Sequence, residues 1–302
     1  MNNMKVAGVN LKNPVILASG IMGTTGASLS RMAQSGAGGI VTKSIGPRPK
    51  KGHKNPSMVK LDFGYLNAMG LPNPSYSEFS EELRIAVEKS DVPVIASIFG
   101  GNAEEFVEVA EGLMGESPAA FELNVSCPHA EGYGASIGVD SCLVEAITAA
   151  VCHVVDVPVW VKLTPNVTDI VSVGQAAVDA GASAIVAINT VRGMAIDIYS
   201  GYPVLGNRFG GLSGDAIRPI AVKCVYDLYA ALDVPIIGVG GISKWEDAIE
   251  MIMAGASAVE VGSAVYESIN VLGDIARGID TFLEDAGYSS VEEIVGLTHR
   301  RI

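Results

Sequence analysis

The sequence predicts an α/β fold, a single (β/α)8 or TIM barrel with long inserts at the C-terminal face of the barrel, from three observations. The composition is globular, because 49% of the 302 residues are hydrophobic and only 18% are charged. The 35 glycines and the 6% of aromatic residues favour α/β with tight turns over an all-β sandwich. Two short phrases recur along the chain, and eight apolar runs alternate with amphipathic stretches.

The recurring phrases both indicate the end of a helix, a turn and a buried strand. The first is Asp-Val-Pro followed by apolar residues, and the second is a small, glycine-rich turn that leads into β-branched residues. The first phrase occupies 91–97, 156–162 and 233–239, and the second occupies 35–41, 180–186 and 254–260.

Continuous apolar runs bounded by turn residues are typical of parallel strands buried on both faces. Eight such runs cover 15–19, 39–44, 93–99, 119–126, 158–164, 184–190, 235–241 and 258–263. Amphipathic stretches between them predict helices at 103–114, 141–155, 170–180, 216–232 and 244–254. Residues 5–14 predict a short hairpin that closes the opposite end of the barrel. The alternative architecture is an open doubly wound sheet, which needs a switch point and usually has fewer strands.

Long inserts at 45–92, 127–157 and 191–235 each follow a predicted strand. In a barrel they therefore lie at the C-terminal face, where active sites are built, and loops of this length are usually functional. No linker rich in proline, serine or charge divides the chain, so residues 1–302 are predicted to form one domain.

The charge balance and the cysteines restrict the partners. The net charge of -13 argues against nucleic acid and anionic membrane surfaces. The N-terminus has no signal-peptide pattern, and no apolar stretch is long enough for a spanning helix. The 4 cysteines include no C-x-x-C pair, which argues against structural zinc and iron-sulfur clusters in this chain. We therefore expect a cytoplasmic protein without a metal site.

Two lysines end apolar strands, Lys43 in IVTKS and Lys162 in VWVKL. Lysine is rarely buried without a partner, so both are predicted to point into the mouth of the barrel toward an anion. The alternative is that each reaches solvent or an ion pair at the rim.

Cys127, in ELNVSCPH, follows the fourth predicted strand and opens a loop with several glycines. A thiol there could act on a ligand as a base or nucleophile. His129 could pair with it, although the intervening proline makes this a weak signal. The remaining cysteines are interpreted as inert helical residues: Cys142, Cys152 and Cys224.

Three strand-end asparagines, Asn67, Asn124 and Asn189, suit a flat polar ligand with carbonyl and N–H groups. The glycine-rich strings at 236–242 and 259–265 end the last two strands. In barrels these two loops, with a helix N-terminus, commonly bind phosphate. The sequence therefore predicts a phosphorylated cofactor beside a small polar substrate.

At these residues the chain resembles the class 1 dihydroorotate dehydrogenases, FMN enzymes of pyrimidine biosynthesis. The resemblance runs end to end through PVILASG, GGIVTKS, LNAMGLPNP, FELNVSCPH, VWVKLTPN, INTVRGMAID, FGGLSGDAIRPIAVK, IIGVGGI and VGSAVY. It implies that FMN is bound by Ser19, Lys43, Ser44, Asn124, Lys162, Ile188, Gly214, Gly240, Gly241, Gly262 and Ser263. It implies that dihydroorotate is bound by Lys43, Asn67, Ala68, Met69, Gly70, Leu71, Asn124, Asn189 and Thr190.

The resemblance also implies catalytic roles. Cys127 would take a proton from C5 of dihydroorotate while hydride leaves C6 for flavin N5. Lys162 would stand near N1 and O2 of the isoalloxazine, where a cation stabilises the charge that reduction creates. Lys43 would serve the carboxylate of the substrate.

Within class 1, residues 193–223 resemble the subclass B catalytic subunit, which pairs with a subunit carrying FAD and a 2Fe-2S cluster and passes electrons to NAD. A homodimeric core in a heterotetramer is implied. This chain has no G-x-G-x-x-G after a strand, so NAD would be reduced only through the partner.

Four alternatives stay open at this point: a fumarate-dependent subclass A homodimer, a dihydrouracil dehydrogenase-like flavoenzyme, an aldolase-like barrel with Lys162 as a Schiff base, and a non-catalytic barrel. The chain also departs from the family pattern. Ser97 and His129 replace common asparagines, and Ser44 and Ser263 replace threonines. Ser97 is therefore not expected to contact the flavin.

Overall fold

The computed structural model describes residues 3–126 and 137–301. Its strands in chain order are β1 (Met4–Val6), β2 (Val9–Leu11), β3 (Val15–Leu17), β4 (Gly39–Val41), β5 (Met58–Leu61), β6 (Gly64–Asn67), β7 (Val94–Ile98), β8 (Ala120–Asn124), β9 (Val159–Leu163), β10 (Ala184–Ala187), β11 (Val191–Gly193), β12 (Gly210–Ser213), β13 (Ile236–Val239) and β14 (Ala256–Val261). Its helices are α1 (Gly26–Gln34), α2 (Tyr76–Lys89), α3 (Ala103–Met114), α4 (Ser141–Val154), α5 (Ile170–Asp179), α6 (Arg218–Ala231), α7 (Trp245–Ala254) and α8 (Val271–Ala286).

Eight parallel strands close into a barrel in the order β10-β13-β14-β3-β4-β7-β8-β9. Seven of the eight predicted apolar runs contain one of these strands, and the eighth, 258–263, overlaps β14. Each predicted helix coincides with a helix to within two residues at either end. The prediction of a (β/α)8 barrel is confirmed, and the open doubly wound alternative is wrong. The predicted N-terminal hairpin is present as the antiparallel pair β1 and β2.

Two apolar layers hold the barrel together because successive residues of a strand point to opposite faces. One layer lies between the strands and the helices and includes Leu123 and Phe106. The other fills the barrel interior below the site, where Trp160 and Ile95 are fully buried. The Trp160 indole donates to the carbonyl of Ala7 at 3.4 Å, so the hairpin closes this end of the barrel.

A second sheet of four strands, ordered β11-β12-β6-β5, stands beside the carboxyl ends of the barrel strands. It is built from two of the long inserts, and Asn67 pairs with Gly211 from a position 144 residues away. The sequence predicted inserts at this face but not their pairing, because neither insert carries a strong strand pattern of its own.

Among the described residues, no helix is both long and apolar enough to cross a membrane.

Candidate active site

A cavity of about 320 Å³ opens at the carboxyl ends of the barrel strands. This volume is within the usual range of ligand sites. Every predicted site residue that the structure describes lines this cavity: Ser19, Lys43, Ser44, Asn67, Ala68, Met69, Gly70, Leu71, Asn124, Lys162, Ile188, Asn189, Thr190, Gly214, Gly240, Gly241, Gly262 and Ser263. Cys127 and His129 lie outside the described residues. The barrel therefore brings together residues from almost the whole length of the chain.

Lys162 lies at the floor of the cavity between two carboxyl groups that the sequence analysis did not anticipate. Its ammonium nitrogen Nζ is 2.6 Å from Oε2 of Glu260 and 3.3 Å from Oε2 of Glu122. The Lys162 side chain is 4% exposed and both glutamates are 0% exposed. Lys162 does reach the cavity, but its anionic partners belong to the chain itself.

Burial and charge act in opposite directions on this cluster. Burial alone disfavours the ammonium form, but the two carboxyl groups outweigh it, so the pKa of Lys162 is raised above the ordinary lysine value. Burial raises the pKa of Glu260 well above its ordinary value, and the negative charge of Glu122 raises it further. Lys162 is therefore a cation at neutral pH. A Schiff-base lysine would need the neutral amine, so this geometry argues against the aldolase-like alternative.

The polar side chains above Lys162 form a connected chain of hydrogen bonds. The amide of Asn189 donates to Asn124 at 3.3 Å, and the amide of Asn124 donates to the Ser44 hydroxyl at 3.1 Å. Ser44 and Ser97 join their hydroxyls at 2.9 Å, and Ser97 donates to Glu122 at 3.0 Å. Ser97 is fully buried and does not line the cavity.

One side of the cavity is formed by Lys43 and by the segment after β6. Lys43 is half-buried, and its backbone amide donates to the carbonyl of Gly23 at 2.9 Å. Backbone bonds hold the segment in place, because the amide of His53 donates to the carbonyl of Met69 at 3.0 Å. Asn67 donates its side-chain amide to the carbonyl of Gly211 at 3.2 Å. The predicted substrate residues thus stand on the junction of the barrel and the four-stranded sheet.

The opposite side is formed by the ends of β13 and β14. Gly241 has φ +71°, and a Cβ there would lie 2.5 Å from Cβ of Arg218, so this backbone requires glycine. The backbone amides of Gly241, Gly262 and Ser263 donate no hydrogen bond to another described residue. The backbone amides of Ser243 and Lys244, just before α7, are by contrast already paired, because they donate to Oδ2 of Asp247 at 3.0 Å and 3.1 Å. An anion at this end would therefore meet the amides of Gly241, Gly262 and Ser263 rather than those of Ser243 and Lys244.

Ser126, the last described residue before Cys127, is anchored to the cavity wall. Its hydroxyl donates to the carbonyl of Lys162 at 3.0 Å, and its amide donates to Oδ1 of Asn124 at 3.3 Å. Ser126 itself lines the cavity.

Sequence reasoning missed several residues at this site. Glu122 and Glu260 stand inside the apolar runs FELN and VEV, where a charged residue is itself a signal of a buried partner. At the mouth it missed Tyr65, Tyr266 and Arg192, which also line the cavity.

A closed barrel whose strand ends converge on one cavity, with a buried cation and loop amides that donate to no described residue, has the features of a ligand-binding enzyme of the barrel class. The sequence comparisons agree with this class and narrow it. Residues 1–283 match the family described as dihydroorotate dehydrogenase, and the chain belongs to that family. It is therefore an oxidoreductase of a flavin-dependent family, and the aldolase-like and non-catalytic alternatives are set aside.

The relatives are similar over almost their full length. The chain is 67% identical over 298 residues to the Methanosarcina mazei protein named dihydroorotate dehydrogenase B (NAD(+)), catalytic subunit, with 98% of this chain and 95% of the relative covered. Proteins of the same name from Pyrococcus abyssi and Methanocaldococcus jannaschii are each 53% identical to this chain. The comparison with the Pyrococcus abyssi protein covers 98% of this chain and 99% of the relative. The comparison with the Methanocaldococcus jannaschii protein covers 99% of this chain and 98% of the relative. The predicted resemblance to the subclass B catalytic subunit is confirmed.

Proposed function

We propose that this chain oxidises (S)-dihydroorotate to orotate in pyrimidine biosynthesis, as the catalytic subunit of an enzyme whose final electron acceptor is NAD+. The observation that carries the proposal is the convergence of Lys43, the three asparagines and Lys162 on one cavity in a member of this family. The printed names of the relatives, each a catalytic subunit of an NAD(+) enzyme, support the choice of acceptor.

FMN is the flavin that we propose for the cavity, and the residues fit it. The amides of Gly241, Gly262 and Ser263, which donate to no described residue, suit a phosphate, since backbone N–H groups at glycine-rich strand ends bind anions. Ser19, Ser44, Asn124, Ile188, Gly214 and Gly240 would complete the site. When bound, FMN supplies the acceptor for the hydride that leaves C6 of dihydroorotate.

The chain's own residues then bind and orient the substrate. Lys43 and Asn67, with the backbone of residues 68–71, would bind the carboxylate and one edge of the ring. The amides of Asn124 and Asn189 offer donors and acceptors to the ring carbonyl and N–H groups. Thr190 would bind the substrate through its backbone or its hydroxyl group. A buried ammonium at Lys162 stabilises negative charge that develops beside it more than it would in water.

Cys127 is proposed as the base that takes the C5 proton. A thiol with an ordinary pKa near ~8.5 is only partly ionised at neutral pH, so the site must favour the thiolate or pass the proton to water. The anchoring of Ser126 to the cavity wall supports this role for the residue that follows it.

The electron path to NAD is proposed to run through a partner subunit carrying FAD and a 2Fe-2S cluster, around a homodimeric core. The term catalytic subunit in the relatives' names supports a separate electron-transfer subunit. We further propose that residues 1–302 act as one FMN-binding domain in the cytoplasm.

The test begins with the purified chain, which should carry oxidised flavin that (S)-dihydroorotate bleaches anaerobically. Cys127→Ala is expected to retain flavin and bleach about 100-fold more slowly or worse, since general-base catalysis is worth about that much. The control is Cys142→Ala, which changes an exposed thiol on α4 and should bleach normally. Normal bleaching of the Cys127 variant would refute the assigned base.

Two further measurements test the substrate and the acceptor. Equal bleaching by dihydrouracil, which lacks the carboxylate, would contradict the role of Lys43. Reoxidation of the reduced chain by NAD+ should require the FAD and iron-sulfur subunit. Rapid reoxidation by fumarate alone would instead indicate a subclass A enzyme.

A further inference from the structure

Glu122, Lys162 and Glu260 form a buried triad of two carboxyl groups and one ammonium at the floor of the cavity. If all three were ionised, the triad would carry one net negative charge in a site that is almost closed to water. An uncompensated charge there is costly, and a buried group in such a position normally takes up a proton instead. The structure must therefore accommodate one additional proton, and the hydrogen bonds indicate where it resides.

The direction of the hydrogen-bond chain above the triad is determined from its upper end. The amide oxygen of Asn124 accepts from the backbone N–H of Ser126, so its nitrogen must be the atom facing Ser44. Ser44 accepts that bond, which leaves its own proton for the Ser97 hydroxyl 2.9 Å away. Ser97 in turn donates to Oε1 of Glu122 at 3.0 Å.

The lower end of the chain leaves one oxygen for the proton. Glu122 accepts from Ser97 on Oε1 and from Lys162 on Oε2, so both of its oxygens already accept a hydrogen bond. Glu260 accepts from Lys162 on Oε2 at 2.6 Å, whereas its buried Oε1 accepts no hydrogen bond from a described residue.

We infer that Glu260 is a neutral carboxylic acid, protonated on Oε1, and that Glu122 is the carboxylate that balances the ammonium of Lys162. The upward shift of the Glu260 pKa, caused first by burial and then by Glu122, agrees with this assignment. Glu260 acts through Lys162 and is a positioning residue rather than a catalytic one.

The proton on Glu260 changes the charge that a ligand meets at the cavity floor. With the proton the triad is neutral and presents a fixed ammonium, and without it the triad carries a net negative charge. A ligand that gains negative charge on reduction is stabilised by the first state and opposed by the second. This consequence rests on the proposed flavin function, whereas the protonation state of Glu260 does not.

The direct test is infrared spectroscopy of the full-length chain at pH 8, freed of bound flavin because flavin carbonyls absorb in the same region. Exposed carboxyl groups are ionised at this pH, so a carboxylic acid C=O band that shifts in D2O must come from a buried acid. We expect such a band in the wild type and its loss in Glu260→Gln. The matched control is Glu108→Gln, since Glu108 is paired with Arg48 at the surface and has a lowered pKa.

A second variant keeps the test decisive if Glu260→Gln fails to fold. In Glu122→Gln the ammonium of Lys162 has only Glu260 as a carboxyl partner, so Glu260 should ionise and the band should again disappear. Absence of the band in the wild type, or its persistence in either variant, overturns the inference. None of these outcomes depends on flavin or on turnover.

The holoenzyme provides a readout that a purely structural role would not affect. Glutamine resembles the neutral acid, so Glu260→Gln should leave the midpoint potential of the bound flavin unchanged at neutral pH. If Glu260 were ionised, the same change would remove a negative charge beside the flavin and raise the potential, which would contradict the assignment.

Discussion

The hydroxyl of Ser97 on β7 donates to Oε1 of Glu122 on the neighbouring strand β8, across 3.0 Å and out of contact with solvent. This bond joins the amides that line the cavity to the charged triad beneath it. A residue that does not line the cavity therefore helps to determine the charge state at its floor.

The first prediction is that Ser97→Ala destabilises the protein by about 1–3 kcal/mol. The change leaves Oε1 of Glu122 without a donor and the Ser44 hydroxyl without its acceptor, and unsatisfied buried groups cost about this much. Denaturant unfolding measures the effect. Ser90→Ala is the control, because the buried Ser90 hydroxyl has no hydrogen-bond partner in the described structure, and it should be neutral or slightly stabilising. Equal losses for both variants would contradict the prediction.

The second prediction concerns the pH dependence of stability. The pKa of Glu260 is raised in the folded protein, chiefly by burial, while the unfolded chain loses this proton near pH ~4.3. Between these two pKa values the folded state binds one proton more, so the free energy of unfolding falls as pH rises, by up to about 1.4 kcal/mol per pH unit. Glu260→Gln removes this dependence. Its stability relative to wild type should therefore increase with pH above about 5.

The measurement for this second prediction is denaturant unfolding between pH 5 and 9. Lys162 adds no slope in that window, because its pKa is raised from a value already above it. Glu108→Gln is the control, since the lowered pKa of Glu108 affects stability only in acid and its difference from wild type should be flat above pH 5. A flat difference for Glu260→Gln as well would be evidence against a protonated Glu260.

The barrel and most of the site could be predicted from the sequence because both depend on local patterns. A parallel strand buried on two faces is a continuous apolar run, and the carboxyl ends of such strands converge wherever the sheet closes. Lys43 and Lys162 were predicted to reach the cavity on this ground alone, and both line it.

The triad could not be predicted in the same way, because it depends on the register of the closed barrel. Whether Glu122 faces inward, and whether it does so at the level of Lys162 and Glu260, is determined by pairings across several strands. The four-stranded sheet escaped prediction for a related reason, since it pairs segments from two inserts that are distant in the chain.

The third prediction is that Gly241→Ala lowers both stability and flavin retention. The backbone of Gly241 has φ +71°, and an added Cβ would lie 2.8 Å from backbone atoms of Arg218 at the start of α6. The left-handed conformation alone costs roughly 1–2 kcal/mol for a residue with a side chain, and the clash adds to it. Thermal unfolding and the flavin-to-protein absorbance ratio measure the two effects. Gly115→Ala, with φ -58° and no atom within 4 Å of the added Cβ, should change neither.

The last prediction concerns Arg192, an exposed residue at the cavity mouth for which the described residues provide no ion pair. In a chain with net charge -13, this guanidinium offers an approaching anion a local attraction. Arg192→Ala should therefore raise the KM for dihydroorotate about two- to fivefold, the usual size of an exposed charge contact, and change kcat less. Salt screens such contacts, so the ratio of the two KM values should shrink toward one at high ionic strength. Arg277→Ala, which removes a surface cation of α8 that does not line the cavity, is the control. A KM ratio that is independent of salt, or an equal rise in the control, would show that Arg192 does not attract the substrate through its charge.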